Sequence, residues 1–309
     1  MKTAVLIPCY NESATIEKVV NDFKRVMPHA DVYVYDNNST DGTDEIARNA
    51  GAIVRYEYQQ GKGNVVRSMF HEIDADCYIM VDGDDTYPAQ AAIEFEKLVL
   101  QGKADMVIGD RLSSTYFEEN DRLFHNTGNK VVRRLINIFF KSNLHDIMTG
   151  MRGFSHDFVK SFPIQSNEFE IETEMSVFAL MNNFNIVEIP INYQDRKEGS
   201  DSKLNTYSDG FKVIMMIFAL IRDERPLMFF STMSFVLLII AGIYFFPILF
   251  NYFRSGIVLK IPTLIVISTV VIIAALNFFV GVILHVLKRQ HSENLQRHLV
   301  LLNEMNKKK

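Results

Sequence analysis

Cys77-Tyr-Ile-Met-Val-Asp-Gly-Asp-Asp-Thr-Tyr-Pro88 is the stretch on which the reading of this chain turns. Tyr78 to Val81 is a short apolar run that reads as a buried strand, and it stops at three carboxylates, Asp82, Asp84 and Asp85. Like charges packed at the tip of a core strand repel and raise one another's pKa. A hard divalent cation removes that cost, because Mg²⁺ or Mn²⁺ takes one or two carboxylate oxygens and fills its shell with water and phosphate oxygens. Gly83, between two of the acids, lets the backbone approach a ligand closely. The plain alternative is a solvated acidic turn with Pro88 opening the next helix, so the flanking sequence has to decide.

On the N-terminal side, Ala4–Pro8 reads as a strand and Asn11-Glu12-Ser13 as the opening of an amphipathic helix running to about Val26. Asp31–Tyr35 is a second strand, ending in Asp36-Asn37-Asn38-Ser39-Thr40-Asp41-Gly42-Thr43, a polar turn that caps another helix. Ala52–Tyr56 is a third strand; Gly61-Lys62-Gly63 then leads into a helix to about Glu72. Beyond the acids, Pro88–Gln101 reads as helix, Asp105–Gly109 as strand, Asn129–Phe140 as helix, and His145–Phe154 as a loop. Phe169–Met175 starts a helix that is acidic in its first turn, and Ile186–Ile191 is a strand. Strands alternating with helices at this spacing predict an α/β fold with a parallel, helix-covered sheet. In such a sheet, ligands bind beyond the carboxyl ends of the strands, which is where Asp82 and Asp84 fall.

Composition adds limits. The net charge of −5 argues against a nucleic-acid partner, which calls for a basic face. Two cysteines, Cys9 and Cys77, both inside expected strands, read as small buried hydrophobes of a reducing compartment, with no base beside Cys9 to make it a nucleophile. The apolar run Ala4–Pro8 is far too short for a signal peptide. The C-terminal third is different in kind. Leu227–Phe250 carries no charge, and neither does Ile261–Leu287 apart from His285. Each exceeds the roughly 20 residues needed to cross a hydrocarbon core, and two in tandem with charged flanks predict transmembrane helices rather than core helices. Phe211–Ile221, apolar except at Lys212, is too short to span and is expected at the membrane interface or against the catalytic domain.

Four strand ends would converge in the N-terminal fold: Pro8-Cys9-Tyr10-Asn11-Glu12, Asp36 with its turn, Gly61-Lys62-Gly63, and Asp82-Gly83-Asp84. Together they offer an aromatic ring and carboxyl groups for a base and ribose, a lysine for phosphate, and acids for a cation. That combination describes a nucleotide-diphosphate site. A dinucleotide fold is disfavoured, since no G-x-G-x-x-G follows the first strand and no Walker lysine motif is present.

These motifs, with Gly109-Asp110-Arg111, Asp146 through Arg152, and Arg196 to Leu204, resemble in their order the inverting family 2 glycosyltransferases of the GT-A fold, specifically the polyprenyl-phosphate glycosyltransferases of the dolichyl-phosphate mannose synthase type. The resemblance covers roughly residues 3–205. Asn37 stands where the family often has a second Asp, and Asp85-Thr86 replace the more usual Leu-Gln. The resemblance implies a Rossmann-like, mostly parallel GT-A catalytic domain (residues 1–205), a juxtamembrane helix (206–226), two transmembrane helices (227–250 and 261–287) and a basic tail (288–309). It implies transfer of a sugar from a nucleotide sugar, UDP-linked by analogy with bacterial enzymes, to the phosphate of polyprenyl (undecaprenyl) phosphate, with Mg²⁺ or Mn²⁺ on Asp82 and Asp84. Pro8, Tyr10, Asn11, Glu12, Asp36, Lys62, Asp82 and Gly83 would then hold the donor. Asp84, Arg111 and Arg196 would be catalytic, with Arg111, Arg196 and Lys203 on the acceptor phosphate and Arg152 and Lys130 as further candidates; the other reading of such an arginine is a surface salt bridge. A phosphate monoester has a second pKa of about 6, so it is largely dianionic at neutral pH and needs cationic positioning rather than a general base.

A GDP-mannose-using synthase is the nearest alternative. Processive polysaccharide synthases carry a Gln-x-x-Arg-Trp motif, and this chain has no Trp. An inactive membrane scaffold would have no reason to keep Asp82, Asp84, Arg111, Arg196 and Lys203 together. Lys288, Arg289, Arg297 and three terminal lysines outnumber Arg254 and Lys260 of the inter-span loop, so the positive-inside rule predicts a multi-pass protein of the cell membrane with its catalytic domain in the cytoplasm. Leu295, Leu299, Leu302 and Met305 recur at helical spacing, a stripe suited to packing in a homo-oligomer or to lying on lipid.

Overall fold

The computed structural model describes residues 1–113, 133–164, 166, 170–194, 215, 218–219, 221–223, 225–258 and 260–306. The chain forms two compact units, Met1–Ile214 and Met215–Lys309.

The first unit is built on β1 (Thr3–Cys9), a strand so apolar that Ala4, Val5, Leu6 and Ile7 are all fully buried. It pairs in parallel with β2 (Asp31–Asp36) on one side and β4 (Cys77–Met80) on the other. With β3 (Ile53–Tyr56), β5 (Met106–Asp110), β6 (Arg152–Ser155) and β7 (Ile186–Pro190), the sheet has seven strands in the order β3-β2-β1-β4-β6-β5-β7. The expected parallel α/β sheet is therefore present, with one strand the sequence did not announce. β6 begins in the last three residues of the segment read as a loop, extends to Ser155, and runs antiparallel to both β4 and β5. Its four residues include an arginine and a glycine, and only its neighbours, distant in sequence, make it a strand.

The helices of this unit are α1 (Ile16–Val26), α2 (Thr43–Asn49), α3 (Lys62–Glu72), α4 (Ala91–Leu100), α5 (133–140), α6 (His156–Ser161) and α7 (Ile171–Met181). On α1, Ile16, Val19, Val20 and Phe23 recur at helical spacing and are buried, joining Val5, Ile7 and the α4 residues Phe95 and Val99 in one core. A second packing group is aromatic: Phe70 of α3, Phe154 of β6, Phe158 of α6, Phe162 at the end of α6, and Phe178 of α7 have neighbouring ring centroids 5.0–6.4 Å apart. Strand order reverses about β1, which has β2 on one flank and β4 on the other. The crevice beyond the carboxyl ends of β1 and β4 is the topological switch point, where open α/β sheets bind ligands.

The second unit contains α8 (Pro226–Ser255) and α9 (Ile261–Asn306). Pro226–Ser255 and Ile261–Gln290 are long and apolar enough to cross a membrane, with mean hydropathies of 2.5 and 2.7. Phe235, Ile243 and Phe246 are more than 60 % exposed, which sets these helices apart from the core helices of a water-soluble protein. The two helices meet through small residues: Ser234 Oγ donates to the Ala274 carbonyl at 2.8 Å, and Ala241 packs with Ile248 and Ile267. Helix α9 continues past the apolar span through the charged stretch to Asn306, so the expected tail stripe is helical, and its side chains lie outside the described residues.

Candidate active site

The register of β1 against β4, Leu6 opposite Met80, brings Pro8–Glu12 beside Val81–Asp85. The Val81 N–H donates to the Leu6 carbonyl at 3.0 Å, extending the ladder to the acids. From there the three carboxylates part company. Asp85 adopts a positive φ of 61° and pairs with Lys18 of α1 at 2.5 Å. Asp84 is buried, its Oδ1 accepting from the Thr86 hydroxyl at 2.7 Å and the Thr86 N–H at 3.3 Å. Asp82 Oδ1 accepts from Lys62 Nζ at 2.5 Å. The Asp85-Thr86 departure from the family pattern thus has a local sense: Asp85 ties the loop to α1, and Thr86 orients Asp84.

Lys62, in the first turn of α3, lies between two acids. Its Nζ is 2.5 Å from Asp82 and 2.5 Å from Glu172, in the first turn of α7. Burial works against the ammonium, but the two carboxylates outweigh it and hold the Lys62 pKa above its ordinary value. The sequence reading assigned Lys62 to phosphate and gave Glu172 no role. The visible signal was the run Glu170-Ile171-Glu172-Thr173-Glu174, whose central acids face inward: Glu172 and Glu174 are both buried.

The loops after β1 and β2 are clasped together. Asn11, at φ 52°, donates its N–H to Ser39 Oγ, while its side-chain oxygen accepts from the Thr40 N–H. The Glu12 N–H donates to Thr43 Oγ1 and the Ser13 N–H to Asp41. These bonds occupy Asn11–Ser13 and explain why α1 begins at Ile16 instead of at Asn11. Asn37 is buried and fully engaged: its amide donates to the Glu57 and Gln59 carbonyls at 2.7 and 2.8 Å and accepts from the Gly61 N–H at 2.8 Å. An aspartate could not supply those donors, so Asn37 is a structural brace between β2 and the loop before α3. Asp36 next to it uses Oδ2 for the Ser39 N–H, whereas Oδ1 is buried with no hydrogen-bond partner among the described residues. Tyr10 is partly exposed at the same edge. Pro8 lies within β1 opposite Tyr35.

Gly83 serves the protein itself: a Cβ there would approach Cys9 Sγ to 2.8 Å. Cys9 and Cys77 are both buried and not joined in a disulfide, in keeping with their expected packing role. Gly150 is under a similar constraint, since a Cβ at that position would fall on the Asp82 carboxylate.

Arg111, just after β5, is nearly buried and holds Asp146 through Nε at 2.8 Å and Nη2 at 3.1 Å. Nη2 also donates to the Met148 carbonyl at 2.9 Å, and the guanidinium stands 5.5 Å from the Tyr193 ring centre. Tyr87 OH accepts from the Gly150 N–H at 2.9 Å, joining the 146–150 loop to the segment after the acids; burial pushes its own pKa up. Arg152 is no surface salt bridge. It is fully buried and donates to the Thr149 and Ile147 carbonyls and to Ser176 Oγ, which binds it into the support of the same loop. Burial lowers its pKa to about 10, against the pull of Glu172 and Asp146. The structure thus brings Pro8–Glu12, Asp36, Lys62, Asp82–Asp84 and Arg111 to one edge of the sheet. Arg196, Lys203 and Lys130 lie outside the described residues, as does most of Phe211–Ile221.

Residues 4–162 match the family described as Glycosyl transferase family 2. Glycosyltransferase AglJ of Haloferax volcanii is 34% identical over 232 residues, covering 75% of this chain and 76% of that protein. The dolichyl-phosphate hexose transferase of the same organism is 30% identical over 222 residues, 72% of this chain and 95% of its own length. Among solved structures, glucosyl-3-phosphoglycerate synthase of Mycobacterium tuberculosis, in complex with Mn²⁺, UDP and glucosyl-3-phosphoglycerate, superposes with a TM-score of 0.58 at 16% identity, over 71% of this chain and 79% of that one. That similarity extends to the fold, and with the family match over half the chain it makes the sheet a GT-A sheet: the chain belongs to glycosyltransferase family 2.

Proposed function

We propose that this glycosyltransferase moves a hexose from a UDP-sugar to undecaprenyl phosphate, or a similar polyprenyl phosphate, at the cytoplasmic face of the membrane, with inversion at the anomeric carbon. The observation that carries this reading is the meeting of Asp82, Asp84 and Lys62 at the switch-point edge of a sheet whose chain also bears two membrane-length apolar helices. The likeness to a dolichyl-phosphate hexose transferase along nearly that protein's whole length supports the acceptor class.

Asp82 and Asp84 suit a hard cation. Both offer carboxylate oxygens, and among the described residues no group of three His, Cys, Asp or Glu surrounds such a position. Mg²⁺ or Mn²⁺ would therefore draw part of its shell from the donor diphosphate and water, as is usual for Mg²⁺ with nucleotides. Bound there, the ion would supply charge neutralisation for the departing nucleoside diphosphate.

The protein's own residues account for the rest. Asp36 Oδ1, buried with no hydrogen-bond partner among the described residues, is an acceptor for a donor N–H or ribose hydroxyl, and Tyr10 offers a ring to the base. Arg111, held rigid by Asp146, contributes fixed positive charge, and Arg196 and Lys203 are assigned to the acceptor phosphate. A phosphate oxygen forms the new bond to the anomeric carbon as the bond to the diphosphate breaks; the dianionic phosphate has no proton to lose, and no base is required.

Incubating the purified protein with labelled UDP- and GDP-sugars, undecaprenyl phosphate and either Mn²⁺ or Mg²⁺ tests the reading. A lipid-linked monosaccharide formed from a UDP-sugar is the expected product. Product from GDP-mannose alone would move the donor assignment, and no product with any donor would overturn the function.

A further inference from the structure

We propose that Glu172 is a positioning residue that sets the divalent-cation affinity of Asp82 by holding Lys62 in competition between the two carboxylates. This inference rests on the metal-dependent reading above. Three elements supply the parts: Lys62 opens α3, Asp82 follows β4, and Glu172 lies in the first turn of α7. The ammonium is 2.5 Å from each acid, and the side chains of Lys62 and Glu172 are only 9% and 7% exposed. A cation that takes Asp82 competes with Lys62 for the same carboxylate, whose Oδ1 the ammonium holds, and adds like charge beside it. Lys62 cannot answer by swinging into water, because it is buried, and a buried ammonium stripped of its counter-charge is costly. Glu172 removes that cost by keeping the ammonium paired while Asp82 changes partner.

The place of Glu172 is itself fixed. Its carbonyl accepts from Ser176 Oγ at 3.0 Å, and Ser176 in turn accepts from Arg152 Nη1 at 2.9 Å. The clearance on the other side of Asp82 is equally set, by the missing side chain of Gly150. Asp82 therefore has a defined position between its lysine and the 146–150 loop, and the Lys62–Glu172 pair is what tunes its availability.

The experiment is a double-mutant cycle on Mn²⁺ binding to the full-length protein in detergent, read from the electron paramagnetic resonance signal of free Mn²⁺, with and without UDP and without any turnover. Lys62→Met is expected to tighten Mn²⁺ binding about tenfold and Glu172→Gln to weaken it about tenfold, with the double variant binding like Lys62→Met, a coupling typical of residues in one ion-pair network. A double variant that binds like wild type would mean that the two charges act independently through space, and the inference fails. Glu172→Asp, which keeps the charge but shortens the reach to Lys62, gives a second reading that does not depend on the lysine variant folding. Weakened Mn²⁺ binding supports the contact, and wild-type affinity overturns it. If the wild-type protein binds no Mn²⁺ in either condition, the metal-dependent reading falls and takes this inference with it.

Discussion

Asp82 and Asp84 stand two residues apart yet in unlike surroundings, one paired with a buried lysine and the other braced by the hydroxyl and N–H of Thr86. That difference makes Asp84 the cleaner test of the metal. Asp84→Asn keeps an oxygen to accept from Thr86 and deletes only charge, so it is expected to fold normally and lose activity by about 100-fold or more, the scale of losing one strong electrostatic stabiliser. An unchanged melting midpoint with collapsed turnover is the expected pair of measurements; turnover that persists in excess chelator would exclude the metal. Arg152 carries the opposite expectation. Its donors satisfy buried carbonyls of Ile147 and Thr149, so Arg152→Met strands those groups and is expected to cost about 2–4 kcal/mol in denaturant unfolding. The sequence could place Arg152 in the right motif but could not reveal its burial, because burial of an arginine depends on carbonyls that a loop presents only when folded. For Asn37 the sequence showed a departure from the family pattern, and only the fold supplied its reason.

At the level of elements, the strands were the most legible part, because β1, β2, β4 and β5 are apolar runs bounded by turn residues. Boundaries were less so. Helix α1 starts late because Asn11–Ser13 spend their polar groups on the neighbouring loop, and β6 escaped notice because its pairing partners, not its composition, define it. The clasp between the two loops hangs on Asp41, which accepts from the Ser13 N–H at 3.0 Å, the Thr43 N–H at 3.1 Å and the Thr43 hydroxyl at 2.5 Å. Partial burial alone would raise its pKa, but these hydrogen bonds prevail and hold it at about 2, below the ordinary 3.8. A carboxylate with a depressed pKa contributes stability that is present above pH 3.8 and is lost as pH falls through about 2. Asp41→Asn, whose amide cannot accept from Ser13 and Thr43 at once through two oxygens, is expected to lower the melting midpoint at neutral pH and to narrow its gap from wild type between pH 4 and pH 2. A gap that stays constant over that window would show that the carboxylate does not carry the clasp. Because the clasp joins the loops that carry Tyr10 and Asp36, the proposed donor contacts, the same variant is expected to raise the KM for the nucleotide sugar more than it lowers kcat.

At the scale of the whole chain, the two apolar helices decide where the chemistry has to happen. With the catalytic domain in the cytoplasm, as proposed, Ser255 at the end of α8 would face the outside of the cell, so a cysteine placed there is expected to react with an impermeant thiol reagent on intact cells; labelling only after lysis would invert the topology. The acceptor poses the remaining demand. In the proposed reaction the polyprenol tail stays in the bilayer and its phosphate at headgroup level, which favours receiving residues near the membrane-entering part of the chain. Arg196 and Lys203 precede Pro226, the first residue of α8, by a short stretch that includes the apolar Phe211–Ile221, whereas Asp82 and Asp84 lie much earlier. That order in the chain is the ground for the proposal that the late cations take the lipid phosphate and the early acids the donor. Arg196→Ala is then expected to raise the apparent KM for polyprenyl phosphate and depress turnover, lowering kcat/KM by about 10- to 100-fold, the loss expected when a charged hydrogen bond to an anion is removed. Lys203→Ala is expected to act in the same direction more mildly, since a point charge is more easily replaced by neighbours than a bidentate fork. Nucleotide-sugar affinity, measured by calorimetry, should not move in either variant. If Arg196→Ala instead abolished donor binding and left the lipid dependence intact, the division of labour between the early acids and the late cations would have to be reversed.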